Sequence, residues 1–181
     1  WFNSMGTEQS KGTKVFSVAG DVDRAGIYEL PMGTPLRELV ETLAGGKYIK
    51  AVQVGGASGR VIPAAKLDIT LAFESACVGA GAVMVFNDTR SAIELARQNF
   101  EFFAEESCGK CVPCREGTRV MLHLLSRIAR GDGKKKDLGI LKELSETMML
   151  ASLCGLGQAA PNSVVDTLEY FDSEYQESIA D

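Results

Sequence analysis

Three cysteines fall within the stretch SCGKCVPCREG, at positions 108, 111 and 114, and a fourth follows at 154 in SLCGLG, with 39 residues between it and Cys114. Cys108, Cys111 and Cys114 stand too close in sequence to pair comfortably with one another. The chain holds five cysteines in all, an odd total, and has no secretion signal. Both features point to a reducing compartment in which clustered thiols bind metal. Zinc is one occupant to expect, though four-cysteine zinc sites usually use two separate C-x2-C pairs. Three cysteines at two-residue gaps with a remote fourth suit a cubane instead, because each of its four irons takes one thiolate. The C-x3-C-P continuation that serves a second cluster in two-cluster ferredoxins does not occur. A single [4Fe–4S] cluster is therefore the leading expectation, with structural zinc and a redox-regulatory thiol group as alternatives. Cys77, in FESACVGAG, has no near companion and reads as a small buried side chain beside a strand.

The elements that must position these sulfurs are helical. Ala92, Ile93, Ala96, Phe100 and Phe103 mark one buried stripe within about Thr89 to Glu106. Val120, Met121, Leu124, Leu125 and Ile128 mark a second, between Arg115 and Arg130. After the break GDGKKKDLG, a third stripe of Leu138, Leu141, Leu144 and Met148 runs up to Cys154, where Gly155 and Gly157 are expected to stop the helix. A fourth, with Asn162 or Ser163 as its cap, buries Val164, Leu168, Phe171 and Tyr175. Phe102 and Met149 also read as core residues. Four helices with short connections predict a small antiparallel bundle. Cys108, Cys111 and Cys114 then lie in the loop between helices one and two, bent by Gly109 and Pro113, and Cys154 at the end of helix three. The start of helix two and the end of helix three share one end of such a bundle, so the fourth sulfur can reach the other three.

The first half has a different rhythm. TKVFSVAG (13–20) and IYEL (27–30) read as strands of a hairpin with a longish loop. GTPLRELVETLAGG reads as a helix, with Thr34 as N-cap, Pro35 in the first position and Gly45–Gly46 as the stop. Leu36, Leu39, Val40 and Leu43 are its buried face. IKAVQVGG and AVMVFN follow as further strands, and the glycine loop GGASG (55–59) precedes Arg60 and another strand. This order predicts an α+β fold of the β-grasp kind, with a boundary near residue 88 before the helical half. As a phosphate cradle GGASG is weak, and a tight turn is the simpler reading.

Composition narrows the function. The net charge of −5 argues against nucleic acid or an anionic membrane as the main partner. No run approaches the apolar length of a membrane-spanning helix. WFNSMGTEQSKGTK lacks the features of a signal peptide, and without an initiator Met the chain is expected to begin inside a longer polypeptide. His123, the one histidine, reads as a surface residue, and Lys134–Lys136 as a solvated turn. Lys110, Arg115 and Arg119 lie beside the cysteines, where positive charge would favour the reduced form of an anionic cluster. There is no Ser/His/Asp set, paired-carboxylate site or H-E-x-x-H, so no complete active site is expected and enzyme status stays open.

EESCGKCVPCREGT followed by SLCGLGQAAPN resembles the C-terminal iron–sulfur segment of the flavin-bearing, NADH-binding subunit of respiratory complex I. The same segment occurs in diaphorase subunits of NAD-linked formate dehydrogenases and NAD(P)-reducing hydrogenases. GTKVFSVAGDVDRAGIYELPMGTPLRELVETLAGG resembles that family's β-grasp (SLBB) domain. The resemblance implies a linker over residues 1–12, an SLBB-like domain over 13–88 and an iron–sulfur four-helix bundle over 89–181. It implies that Cys108, Cys111, Cys114 and Cys154 ligate one [4Fe–4S] cluster, which relays electrons from FMN to clusters of a ferredoxin-like partner subunit. FMN and NAD(H) are expected in an N-terminal domain whose GRGGAGFP-type loop does not occur in these 181 residues. A cytoplasmic location, peripheral to the membrane through a larger complex, is implied with it. A zinc-stapled interaction module and a β-grasp ligand-binding module are the alternative functions.

Overall fold

The computed structural model describes residues 1–76 and 78–180, so Cys77 and the expectation attached to it lie outside the described residues. The chain divides into two units after Arg90.

In the first unit, period-two alternation along β1 (Thr13–Gly20) buries Phe16 and Val18 while Val15 faces outward. β1 pairs antiparallel with β2 (Gly26–Pro31), with Phe16 opposite Tyr28. The next two strands, β3 (Ile49–Val54) and β4 (Arg60–Pro63), form a second antiparallel pair. The last strand, β5 (Ala82–Asn87), inserts between the pairs, parallel to β1 and antiparallel to β3. The resulting order, β2-β1-β5-β3-β4, is a mixed five-stranded sheet, in keeping with the α+β class expected. Its β1 and β5 ends are tied by Asp21, whose carboxylate accepts from the Asn87 amide at 3.0 Å and from Arg90 at 2.7 and 2.9 Å.

The crossing helix differs from expectation. A π-helical turn, Glu38–Leu43, occupies its centre, and the Ala44 amide donates five residues back to the Leu39 carbonyl at 2.9 Å. Thr34 does not cap it: its hydroxyl donates backward to the Pro31 carbonyl at 2.8 Å. Leu36, Leu39 and Val40 are all fully buried, in one core with Val52, Val54, Val83 and Val85 of the sheet. GGASG forms a turn, with the Gly59 amide bonded to the Gly56 carbonyl at 2.9 Å. The buried Gln53 amide holds it by donating to the Gly56 and Ala57 carbonyls at 3.0 and 3.2 Å. Residues 1–12 are tied to this unit through Thr7 and Ser10, whose hydroxyls bond the Glu74 carboxylate.

The second unit contains six helices among the described residues where four were expected. They are α1 (Ala92–Glu106), α2 (Val112–Ala129), α3 (Lys135–Ala151), α4 (Gly155–Ala159), α5 (Asn162–Tyr170) and α6 (Asp172–Glu177). The expected fourth helix breaks at Phe171, and the reason is local. Eight residues of straight helix would separate Thr167 and Tyr175 by about 12 Å along the axis. The break lets the fully buried Tyr175 hydroxyl meet Thr167 Oγ1 at 2.8 Å. Pro161, not Asn162 or Ser163, stands at the N-cap of α5. Phe102, Val120 and Met149, read as core, are 47%, 41% and 41% exposed and belong to the surface. α2 and α3 pack closely at Gly117, where a Cβ would lie 2.6 Å from Met148 Sδ. Beyond α2, the two-residue strands β6 (Gly133–Lys134) and β7 (Ile179–Ala180) pair in parallel.

Candidate metal centre

α1 ends at Ser107, which is extended, and Cys108 follows directly. Gly109 takes a positive φ of 73°, a conformation costly for residues with a Cβ, and turns the chain toward α2. Cys111 is the N-cap of α2 and Cys114 lies in its first turn, so only part of the triad is in the loop. Pro113 falls in the same turn, where a missing N–H costs nothing.

Cys154 is not the end of the third helix. α3 stops at Ala151, Ser152 is extended, and Cys154 is the extended N-cap of α4. Gly155 and Gly157, expected as stops, lie inside α4. Gly157 is needed for close approach: a Cβ there would sit 2.5 Å from Ser152 Oγ and 2.9 Å from Cys114 Cβ. Its bare backbone lets α4 lie against the first turn of α2, bringing the segment of the fourth cysteine beside the third.

A second contact links the same two segments. The backbone N–H of Leu153 faces the Cys111 sulfur, and with the amides of Cys114 and Cys111 and the nearby Arg115 charge it holds that thiol below its ordinary pKa, against burial. The α2 N-terminus adds its positive dipole end. All four cysteines are free thiols. Cys114 is buried, Cys111 half-buried, and Cys108 and Cys154 exposed. Among the described residues no three His, Cys, Asp or Glu side chains close tightly enough to grip one metal ion.

Polar groups surround the buried sulfur. Ser107 Oγ lies 3.4 Å from Cys114 Sγ and accepts from the Gly109 amide at 3.3 Å. Thr118 Oγ1 donates to the Cys114 carbonyl at 2.9 Å. Arg115 donates to the Gly109 carbonyl at 2.9 Å and to Glu116 at 2.8 Å, so its charge is folded onto the cysteine loop and partly offset. Lys110 and Arg119 are exposed, as is His123. Sequence reasoning missed Ser107, Ser152, Leu153 and Gly157. The positions of Ser107 and Leu153, adjoining Cys108 and Cys154, could have drawn notice.

The NADH-ubiquinone oxidoreductase-F iron-sulfur binding region matches residues 94–178, and the SLBB domain matches residues 15–62. The chain is 40% identical to the NADP-reducing hydrogenase subunit HndC of Solidesulfovibrio fructosivorans, matching over 100% of its own length and 39% of that protein. It is 39% identical to the F 2 subunit of NADH-quinone oxidoreductase from Rhizobium meliloti, over 97% of this chain and 44% of the relative. With the NAD-reducing hydrogenase HoxS alpha subunit of Cupriavidus necator it shares 38% identity, over 99% of this chain and 30% of the other. The fold matches a chain in the crystal structure of NAD+-reducing [NiFe]-hydrogenase in the H2-reduced state with a TM-score of 0.93 at 38% identity. That match covers 99% of this chain and 32% of the hydrogenase chain. The chain thus spans less than half the length of these relatives.

Proposed function

We propose that this chain, with its SLBB region and NADH-ubiquinone oxidoreductase-F iron-sulfur binding region, serves as an electron relay in a complex of the NADH-quinone oxidoreductase or NAD(P)-reducing hydrogenase kind, with Cys108, Cys111, Cys114 and Cys154 holding one [4Fe–4S] cluster. The observation that carries this reading is the meeting of two cysteine-bearing segments distant in sequence: Leu153 N–H faces the Cys111 sulfur, and Gly157 packs on Cys114. Four sulfurs on one zinc ion, at about 2.3 Å each, would have to crowd within roughly 4 Å of one another. A cubane gives each thiolate its own iron and spaces them more widely, which suits three cysteines at two-residue gaps with a remote fourth.

When bound, the cluster supplies a one-electron store whose oxidised charge with four thiolates is about −2. The chain's own groups prepare that charge. Amides at Cys111 favour its thiolate, Arg115 lays positive charge along the Gly109–Cys111 loop, and burial of Cys114 keeps water from one side. Cys108 and Cys154 are exposed, which would suit exchange of electrons with another domain or subunit. FMN and NAD(H) chemistry is assigned to the remainder of the subunit, and a ferredoxin-like iron–sulfur subunit is the proposed acceptor. No helix among the described residues is long and apolar enough to cross a membrane, and a location peripheral to one through a larger complex is part of the proposal.

Anaerobic purification of the chain tests this. The protein should absorb broadly in the visible region, be bleached by dithionite, and contain about four irons and four sulfides. Cys154→Ser should lose most of that colour. A colourless protein with one zinc per chain would sink the relay reading.

A further inference from the structure

Resting on that four-cysteine reading, we infer that Ser107 is a potential-setting residue: its hydroxyl donates a hydrogen bond to Cys114 Sγ and makes the cluster easier to reduce. The contact is 3.4 Å and part-buried. Geometry alone leaves the donor open, but the surrounding chemistry fixes it. A ligating cysteine is a thiolate and has no proton to give. Ser107 Oγ already accepts from the Gly109 amide at 3.3 Å, which occupies a lone pair and leaves its own proton available. The hydroxyl is therefore the donor and the sulfur the acceptor. Because Ser107 ends α1 and Cys114 lies in the first turn of α2, the bond is held from both sides by helix termini.

The direction of the effect follows from charge. One-electron reduction takes the cluster and its thiolates from about −2 to about −3, and hydrogen bonds to the sulfurs are among the factors that set such potentials. A donor aimed at a ligand sulfur stabilises the more electron-rich state more strongly and so raises the potential. Ser152 is an internal comparison. Its hydroxyl is also buried and lies near Cys114 through Gly157, yet it makes no hydrogen bond to that sulfur or to any other group.

Redox titration of the anaerobically purified full chain, followed by visible absorbance and electron paramagnetic resonance, tests the assignment. Ser107→Ala should retain iron and sulfide but shift the midpoint to more negative potential. Ser107→Thr, which keeps the hydroxyl, should stay near wild type, and Ser152→Ala should shift it less than Ser107→Ala. If Ser107→Ala fails to load, Ser107→Gly, which also lacks the hydroxyl and fits an extended position, must show the negative shift. An unchanged potential in a loaded hydroxyl-free variant overturns the role of Ser107 and leaves the four-cysteine reading intact. An equal shift in Ser152→Ala overturns it too, by making the effect one of repacking. Wild-type protein that binds no iron overturns both.

Discussion

Gly157 shows how much of the centre depends on a residue with no side chain. Ala there must displace Ser152 or the Cys114 Cβ, both held by backbone, whereas at Gly117 the added methyl meets the flexible end of Met148. Gly157→Ala should therefore cost about 1–3 kcal/mol of stability, as overpacking does, and lower iron content, while Gly117→Ala should cost less. Urea midpoints and iron assays on the two variants check this, and equal losses would count against the Gly157 contact. The four cysteines stood out in sequence because their type and spacing suggest a chemistry. Gly157 was not, because a glycine after a helix reads as a stop, and its need for bare backbone arises from a neighbour 43 positions away, Cys114. Ser107 was hidden likewise: a serine before a cysteine gains meaning only once α2 returns its first turn to it.

At the scale of elements, the α2–α3 connection is fixed by Asp137. Its carboxylate is fully buried, accepts from the Lys134 amide at 2.8 Å, and pairs with Arg127 of α2. Burial pushes this carboxyl up, but the amide and the guanidinium outweigh it and hold the pKa below the usual value. The unfolded chain then binds the proton more readily than the folded one, so the stabilisation is present above the unfolded pKa of about 3.9 and is lost as pH falls through the lower folded value. Acid unfolding of wild type should show this loss below about pH 4, and Asp137→Ala should lack it. The same substitution should cost about 3 kcal/mol near neutral pH by leaving Arg127 unpaired, read from urea denaturation. The long helices α1 to α3 and the strands were legible because 3.6- and two-residue apolar periods are local signals. The π-turn, the break at Phe171 and the separate α4 were not. The break depends on the tertiary contact of Tyr175 with Thr167, the π-turn shows no local signal in the residues, and α4 has too few residues to show a period.

At the scale of the whole chain, one sequence carries an SLBB unit and an iron–sulfur unit, and both matched regions have counterparts in subunits more than twice as long. The proposed division of labour has a direct consequence: NADH mixed anaerobically with this chain should leave its visible spectrum unchanged, whereas dithionite should bleach it. Bleaching by NADH alone would place nicotinamide chemistry within these 181 residues. The architecture of each half was legible because the order of its elements was; the central placement of β5 was not, since pairing between β1 and β5 joins residues some sixty-five positions apart. Finally, under the proposed ligation the position of Cys154 at the head of α4 would give the cluster a mechanical role. Cys108, Cys111 and Cys114 are neighbours in any conformation, so Cys154 alone would close a loop of about forty residues containing α2 and α3. By the entropy of a cross-link that size, it constrains the unfolded chain by about 4 kcal/mol. α4, with five residues, is too short to persist alone. Iron supply would thereby govern the folding of this end of the bundle, and in iron-starved protein α4 should be the first helix to fray.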